Sequence, residues 1–325
     1  PSGHEQAIRR FLLDELKKLG FAPVLDRMGN VVVVKEGTGD APRKRVMVSA
    51  HMDEVGLIVT SATEDGYLRI AAGGGIDPRV LVSKRVTVGE DKLPGVIGAV
   101  PIHLQSAAER KHVLSMDELL VDIGAKDKDE AERKAPMGTY ISFDTPYVEY
   151  GDGFACGKAF DDRVGCLSLL RLLQEELPVD LVACFVSEEE VGCRGAKGAA
   201  FQQEPDIGIV LEGTTCNDLG DVPETAHVCE AGQGVAVSFM DGASIANRAL
   251  FRKALDVAKQ ENIPHQVKHS VSGGNDGGAI QRAREGVPVV VLSVPCRYIH
   301  SPSSVVKLSD VESQFALVKA LVKAL

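Results

Sequence analysis

Five short clusters of acidic and histidine side chains lie where an apolar, strand-like run ends or where a helix begins. They occupy residues 51–53, 161–162 and 188–190, together with Glu212 and His300. In an open α/β sheet the carboxyl ends of the strands meet at one crevice, so we expect these clusters to converge there. Several carboxylates in one crevice need a cation to balance their charge. Two divalent ions that share one carboxylate would meet this need, and such a site activates a water and polarises a carbonyl.

The first cluster combines a histidine with an acid two residues later. On an extended backbone, His51 and Asp53 point to the same side of the strand. The carboxylate of Asp53 could therefore accept the second imidazole N–H and fix the tautomer of a metal-binding His51.

Each cluster also has a simpler explanation when it is taken alone. Asp161 and Asp162 could cap the start of a helix, and a run of three glutamates commonly lies on a solvated surface. A lone histidine such as His51 is more often a core or surface residue than a ligand. The order of all five clusters, each at a strand end or a helix start, favours a metal site over these separate explanations.

The pattern of apolar residues divides the chain into two kinds of sequence. Helical and strand-like segments alternate over residues 1–60 and 156–325, whereas residues 61–155 contain short alternating segments broken by glycine, proline and charge. This arrangement predicts an α/β domain interrupted by a smaller inserted β-rich domain. The clearest strands are predicted at residues 31–34, 46–50, 56–60, 181–187, 207–211 and 289–294, and the clearest helices at 164–177, 245–262 and from 308 onward.

Charge and cysteine content narrow the expected partners and compartment. The chain has 36 Lys and Arg residues against 46 Asp and Glu residues, and its net charge of −10 disfavours nucleic acid or an anionic membrane as partner. No apolar run of the sequence approaches the roughly 18 residues of a membrane-spanning helix. The seven cysteines form no C-x-x-C pair, and their odd number favours reduced thiols over a disulfide framework. We therefore expect a cytoplasmic protein without nucleic-acid or membrane partners.

In their order along the chain, these motifs resemble those of the co-catalytic metallo-aminopeptidases, a family that includes glutamyl, deblocking and tetrahedral aminopeptidases. The resemblance extends over essentially the whole chain. It rests on the segments HMDEVG at 51–56, FDDRVG at 160–165, EEVG at 189–192, GNDGG at 274–278 and PCRYIHSP at 295–302. It implies an α/β fold in which helices flank a central mixed sheet, as in zinc exopeptidases. It also implies a cis peptide bond after Asp161.

The resemblance further implies a ligand set for two divalent ions. Asp161 would bridge the two ions. His51 and Glu212 would complete one ion, and Glu190 and His300 would complete the other. Zinc or cobalt is expected, and manganese also accepts histidine and carboxylate ligands.

Roles for other residues follow from the same resemblance. Asp53 would orient His51. Glu189 would be the general base that takes a proton from water and delivers it to the leaving amine. The residues that would contact the substrate are Asn275, Asp276 and Gly277.

The run of three glutamates leaves a second register open. If Glu188 and Glu189 formed the functional pair, the roles of base and ligand would shift by one residue. The Val-Gly pair that follows Glu190 favours the register in which Glu189 is the base.

Together these implications predict a metal-dependent aminopeptidase that removes amino-terminal residues from short peptides. One alternative is a dinuclear-metal amidohydrolase that acts on N-acyl amino acids or on carboxy-terminal residues, because such enzymes use similar ligands and differ in not requiring a free amine. A second alternative is a metal-binding assembly protein without hydrolytic activity. That protein would lack the base or the bridging ligand, whereas Glu189 and Asp161 are both present.

The family resemblance also gives the inserted segment a role. Residues 61–155 are expected to mediate dimerisation within a larger hollow complex, commonly a tetrahedral dodecamer. Such a shell would admit short unfolded peptides and exclude folded proteins.

Overall fold

The computed structural model describes residues 1–271 and 273–325, which form seven α-helices and seventeen β-strands. In chain order these elements are α1 Gln6–Lys18, β1 Val24–Leu25, β2 Val31–Lys35, β3 Arg45–His51, β4 Gly56–Ala62, β5 Leu68–Gly73, β6 Arg85–Val88, β7 Leu93–Gly98, β8 Leu120–Asp122, α2 Lys128–Lys134, β9 Tyr140–Phe143, β10 Val148–Tyr150, β11 Phe154–Gly157, α3 Phe160–Leu172, β12 Asp180–Val186, α4 Arg194–Gln203, β13 Ile207–Thr215, β14 Val235–Ser238, α5 Arg248–Gln260, β15 His265–Val267, α6 Asp276–Gln281, β16 Val289–Arg297, β17 Ser304–Lys307 and α7 Leu308–Lys323.

The larger of two sheets has eleven strands and is mixed. Nine of its strands follow the order β1-β2-β12-β3-β13-β16-β17-β11-β10, while β14 pairs with β16 and with β15. The central strands β12, β3, β13 and β16 run parallel, whereas β2, β14 and β17 run antiparallel to their neighbours in this group. The prediction of an α/β fold built on a mixed central sheet is confirmed.

Helices cover both faces of this sheet. On one face α1, α3, α5 and α7 enclose a core that includes Leu169 and Leu317. On the other face α4 and α6 pack through residues such as Ala196 and Ile280. The central strands are therefore apolar along nearly their whole length, because both of their faces are buried. Among the described residues, no helix has the length and apolarity needed to cross a membrane.

The smaller sheet closes into a six-stranded barrel in the order β4-β5-β8-β7-β6-β9. Its interior is a separate hydrophobic core that includes Leu57, Ile70 and Ile141. The strand predicted at 56–60 therefore belongs to the barrel, whereas β10, which lies within 61–155, and β11, which begins there, belong to the large sheet. The ends of the barrel thus differ by several residues from those of the predicted β-rich segment. The division into a catalytic domain of residues 1–60 plus 156–325 and a dimerisation domain of residues 61–155 stays a prediction.

The parallel strands carry the predicted clusters to one edge of the large sheet. His51 is the last residue of β3, and Glu212 lies within β13. β12 ends just before the glutamates at 188–190, and β16 ends just before His300. Asp161 lies in the first turn of α3. This is the edge at which ligands bind in open α/β sheets.

Candidate metal centre

The imidazole of His51 faces two carboxylates. Its Nε2 atom lies 3.3 Å from Oδ1 of Asp161 and 3.5 Å from Oε2 of Glu212. The His51 side chain is completely buried, and the two carboxylates are nearly so. An imidazole nitrogen and two carboxylate oxygens are donors that zinc and similar divalent ions bind.

A second histidine faces the other side of the same aspartate. Nε2 of His300 lies 3.4 Å from Oδ2 of Asp161 and 3.2 Å from Oε2 of Glu190. Asp161 therefore presents one oxygen to each histidine. The structure brings together all five residues for which the sequence predicts metal ligation, with Asp161 at the centre of the group.

The opposite nitrogen of each imidazole ring faces an oxygen atom. Nδ1 of His51 lies 3.1 Å from the backbone oxygen of Asp53 and 3.5 Å from its Oδ1 atom. Nδ1 of His300 lies 3.1 Å from the backbone oxygen of Gly75, which follows barrel strand β5. A proton on Nδ1 would satisfy both contacts and leave the lone pair of Nε2 free for a cation, as is usual for metal-bound histidine.

Several hydrogen bonds hold the carboxylate of Asp53, in addition to its contact with His51. Its carboxylate accepts the hydroxyl of Ser2 at 2.7 Å and the backbone N–H groups of Glu189 and Glu190 at 3.0 and 3.1 Å. Burial alone would raise the pKa of Asp53, but His51 and these donors lower it to about 2. An ionised Asp53 thus connects the first cluster to the run of glutamates.

The protein itself does not balance the negative charge that the glutamates at the centre carry when they are ionised. Burial, reinforced by neighbouring carboxylates, raises the pKa to about 8 for Glu189, about 7 for Glu190 and about 8 for Glu212. Oε1 of Glu212 is buried without a hydrogen-bond partner among the described residues. Divalent cations would keep these groups ionised and give that oxygen a partner. The residues present therefore fit a centre that holds divalent metal ions.

Asp162 supports the centre from behind. The peptide bond between Asp161 and Asp162 is cis, as the family resemblance implies. The buried carboxylate of Asp162 accepts the backbone N–H of His51 at 3.2 Å and that of Gly165 at 3.0 Å. A Cβ atom on Gly165 would lie 2.3 Å from Oδ2 of Asp162, so only glycine fits there. The sequence suggested only a helix cap for Asp162 and no role for Gly165, although the glycine in FDDRVG is a signal of this close approach.

A cavity of about 160 Å³ lies beside the centre and exposes its carboxylates. Residues from four of the predicted clusters line it, together with Lys268, for which the sequence predicted no role. Lys268 is the one basic side chain among the described residues that line the cavity, and it is only 8% exposed. The acidic and histidine residues of the lining are Asp161, Glu189, Glu212 and His300.

The predicted substrate-binding segment lies only partly on this cavity. Asn275 lines it, but the side chain of Asn275 donates to Asp241 and accepts the N–H of Gly277, so it also fixes the start of α6. Asp276 and Gly277 are buried and are not among the described residues that line the cavity. Contact of these three residues with substrate stays a prediction.

Comparison with known proteins gives one consistent result. The profile of a family described as M42 glutamyl aminopeptidase matches residues 29–317. The whole chain is 33% identical to the lysyl aminopeptidase of Pyrococcus furiosus, of which it covers 93%. It is 32% identical to the glutamyl aminopeptidase of Lactococcus lactis subsp. cremoris, of which it covers 92%.

A solved structure has the same fold over the whole chain. The TET1 peptidase of Pyrococcus horikoshii, described as able to assemble into a tetrahedron or a large octahedral shell, matches with a TM-score of 0.87 at 32% identity. The match covers 100% of this chain and 96% of that one.

Proposed function

This chain belongs to the M42 glutamyl aminopeptidase family, and from that premise we propose that its histidine–carboxylate cluster is the catalytic metal centre. The protein is an aminopeptidase, a peptide hydrolase that removes residues from the amino terminus. The resemblance drawn from the sequence motifs is confirmed. The amidohydrolase and the non-catalytic assembly protein are not favoured, since the named relatives are aminopeptidases.

The centre holds two divalent ions in this proposal. Asp161 would hold both ions, His51 and Glu212 would complete one site, and Glu190 and His300 would complete the other. The observation that carries this assignment is that the two oxygens of Asp161 face two different histidines, at 3.3 and 3.4 Å. Zinc or cobalt suits this mixture of imidazole and carboxylate donors, and manganese also accepts it.

Glu189 is the general base. When bound, the divalent ions lower the pKa of water and polarise the carbonyl that is attacked. Glu189 receives the proton of the attacking water on its carboxylate and delivers it to the nitrogen of the leaving amine. Its place on the cavity wall supports this role, since Glu190 and Glu212 instead point an oxygen at a histidine.

Asp53 is a positioning residue in this scheme. One carboxylate oxygen accepts the backbone N–H of Glu189 and the other accepts that of Glu190. The same side chain lies against Nδ1 of His51. Asp53 therefore fixes the base and one ligand of each ion relative to one another.

The acidic cavity also supports a preference for a free amino terminus. The α-ammonium group of a peptide would enter a space lined by Asp161, Glu189 and Glu212, where negative charge stabilises it. An acetylated terminus has no charge and would lose this attraction. Recognition of the free amine does not determine which amino-terminal side chain of the substrate is preferred, because one relative is named for lysyl and another for glutamyl substrates.

Self-association to dimers and to a tetrahedral dodecamer is the assembly proposed for this chain. The related TET1 peptidase forms tetrahedral and octahedral shells. The barrel of this chain has a long connection between β7 and β8, here called the barrel loop, residues 99–119. It exposes the apolar side chains Val100, Ile102, Leu104 and Val113, each at least 60% exposed. A cluster of exposed apolar side chains on one loop is typical of a surface that contacts another protein.

A reducing, cytoplasmic location is also part of the proposal. All seven cysteines are free, and five of them are buried. Disulfides are rare in proteins that stay in reducing compartments, where such thiols remain unpaired.

The proposed activity is tested with a pair of peptides that differ only in the amino terminus, one free and one acetylated. After removal of metal and addition of zinc or cobalt, we expect metal-dependent release of the first residue from the free peptide. Equal cleavage of the acetylated peptide would contradict recognition of a free amine. Cleavage that persists in the metal-free protein would contradict the assignment of a metal centre.

A further inference from the structure

A second group of potential ligands lies next to the proposed base. Glu189, Cys193 and Asp276 each offer one atom, and these three atoms all lie within 4.8 Å of one another. The thiol of Cys193 donates a hydrogen bond to Oε1 of Glu189 at 3.4 Å. Cys193 and Asp276 take no part in the proposed reaction, so their placement around the base needs a separate explanation.

Asp276 is the most unusual member of this group. It is fully buried, and neither of its carboxylate oxygens has a hydrogen-bond partner among the described residues. Burial and the nearby carboxylate of Glu212 raise its pKa, and the thiol of Cys193 offsets only part of that effect. A buried carboxylate without a partner is costly, and a cation bound beside it would remove that cost.

The thiol determines which cations the group would accept. Burial and the surrounding carboxylates raise the pKa of Cys193, so the thiol stays protonated in the absence of metal. A coordinated thiol loses its proton outright, because the bond between sulfur and metal replaces the bond between sulfur and hydrogen. Zinc and cadmium bind thiolate strongly, whereas manganese and magnesium prefer oxygen donors. The combination of one sulfur and two carboxylates therefore selects soft divalent ions.

Cys193 can be reached without crossing the catalytic cavity. It is partly exposed and lines a groove of about 700 Å³ on the face formed by α4, together with residues such as Lys197 and Phe201. Glu189 lines the catalytic cavity, whereas Cys193 is not among the described residues that line it.

We propose that Glu189, Cys193 and Asp276 form a third metal site, which binds a soft divalent ion and thereby inhibits the enzyme. On binding, the thiol proton and the protons held by the carboxyl groups of Glu189 and Asp276 pass to solvent, the sulfur and the two carboxylates bond to the ion, and no group changes its oxidation state. A carboxylate bound in this way cannot accept a proton from water. The inhibition, though not the binding, rests on the proposed role of Glu189 as general base. Zinc at concentrations above those that fill the catalytic centre is the natural candidate for this ion.

The site is tested by titrating cadmium into enzyme already loaded with metal at the catalytic centre. The proposed catalytic ligands include no sulfur, so ultraviolet charge transfer from thiolate to cadmium reports only on cysteine coordination. We expect this band to grow with one equivalent of cadmium per chain, in parallel with loss of activity. Manganese should leave activity unchanged at the same concentration.

Three variants locate the ion. Cys193→Ser should lose the band, and Asp276→Asn should weaken cadmium binding at least about tenfold. Cys156→Ser is the matched control, since Cys156 is the other partly exposed cysteine, and it should keep both band and affinity. A band that persists in Cys193→Ser, or no band in the unmodified enzyme, would overturn the proposal. A band that forms without loss of activity would support the site and would instead contradict Glu189 as the base.

Discussion

The carboxylate of Asp162 accepts the backbone N–H of His51 at 3.2 Å, across a separation of 111 residues in the sequence. The neighbouring Asp161 faces the imidazole of the same histidine. Two adjacent acids therefore hold the backbone and the side chain of one proposed ligand. This contact fixes the start of α3 against the end of β3, so part of the centre is preorganised by the protein before any ion binds.

Replacing Gly165 with alanine should disturb this support. The added Cβ would lie 2.3 Å from Oδ2 of Asp162, so the carboxylate or the helix must move. We expect the free energy of unfolding to fall by about 1–3 kcal/mol, as is typical of overpacked sites. Activity should fall as well, because Asp162 also holds His51. Urea denaturation and peptide cleavage at equal protein concentration measure both effects.

Gly198→Ala is the matched control for that substitution. Gly198 also lies within a helix, α4, but its added Cβ would meet only the side chain of Met28, at 3.7 Å. Alanine in a helix is favoured over glycine by roughly 0.5–1 kcal/mol, so this variant should be as stable as the unmodified protein or more stable. Equal losses in both variants would show that the contact with Asp162 is not the cause.

Glu189→Gln should separate catalysis from metal binding. Glutamine keeps the shape of the side chain but cannot accept the proton of the attacking water, so turnover should fall by ~10²-fold or more. The residues proposed as ligands are unchanged, and metal content after dialysis should stay close to that of the unmodified enzyme. Near-normal turnover would remove Glu189 from the proposed mechanism.

Glu188→Gln tests the register of the three glutamates. Glu188 contacts Arg194 at 3.3 Å at the surface, and a surface ion pair of this kind contributes little. We expect activity and metal content to change less than twofold, which is small beside the ~10²-fold loss of turnover expected for Glu189→Gln. A large loss of turnover in Glu188→Gln with none in Glu189→Gln would establish the other register.

The sequence was most informative where one short motif carried both structure and chemistry. His51 and Glu212 could be expected at one crevice because each follows an apolar run, and parallel strands end at one edge of a sheet; their assignment to one ion came from the family resemblance. The predicted helices at 164–177 and 245–262 overlap α3 and α5, whose apolar faces repeat with the helical period. The locations of these elements are local properties of the chain.

Other features depend on contacts that no local pattern reveals. Helix α4 was not predicted, because its segment contains two glycines and packs through small alanines instead of a strong apolar stripe. Lys268 reaches the cavity only because separate loops meet there, and the burial of Asp276 likewise depends on tertiary packing. The barrel begins at residue 56 because β4 pairs with β9, more than 80 residues away, which no local pattern shows.

His300→Ala should remove one of the two proposed metal sites. The imidazole of His300 faces Glu190 and Asp161, whereas the other proposed site retains His51 and Glu212. We expect metal content after dialysis to fall from two ions towards one per chain, with a loss of activity. Atomic absorption on the dialysed protein measures the content.

His265→Ala is the control for histidine loss. Nδ1 of His265 faces the backbone oxygen of Ile263 at 2.8 Å, outside the proposed centre, and removal of this imidazole should leave the metal content unchanged.

Asp161→Asn tests the shared ligand, since Asp161 faces both histidines and both ions should then bind more weakly. Retention of two tightly bound ions in Asp161→Asn would contradict a shared ligand.

The metal-free protein should lose stability as the pH rises from about 5 to about 8. In the folded state the pKa of Glu189, Glu190 and Glu212 is raised to about 8, 7 and 8 from an ordinary 4.5. Over this range the folded chain binds more protons than the unfolded chain, so the free energy of unfolding falls with increasing pH. His300, whose pKa is raised to about 9 from 6.5, acts in the same direction in the upper part of the range.

Metal should reverse much of this dependence, because a bound cation takes the place of the protons on its ligands. The difference in thermal midpoint between zinc-loaded and metal-free protein should therefore widen from about pH 5 to about pH 8. Glu212→Gln removes one of the titrating groups and should flatten the pH dependence of the metal-free protein. A midpoint that rises with pH in the absence of metal would have the wrong sign for this explanation.

Leu104→Glu should weaken the proposed assembly without altering the catalytic centre. Leu104 is 71% exposed on the barrel loop, beside other exposed apolar side chains. A charge placed within an apolar contact must be desolvated, so we expect the assembly to dissociate at concentrations at least about tenfold higher than for the unmodified protein. Light scattering across a dilution series gives the mass of the assembly.

Val24→Glu is the control, because Val24 is similarly exposed, at 64%, but lies on β1 at the edge of the large sheet. If Val24→Glu dissociates the assembly and Leu104→Glu does not, the contact lies on the large sheet.

Short peptides should still be cleaved by dissociated Leu104→Glu, since the barrel loop contributes no residue to the proposed centre.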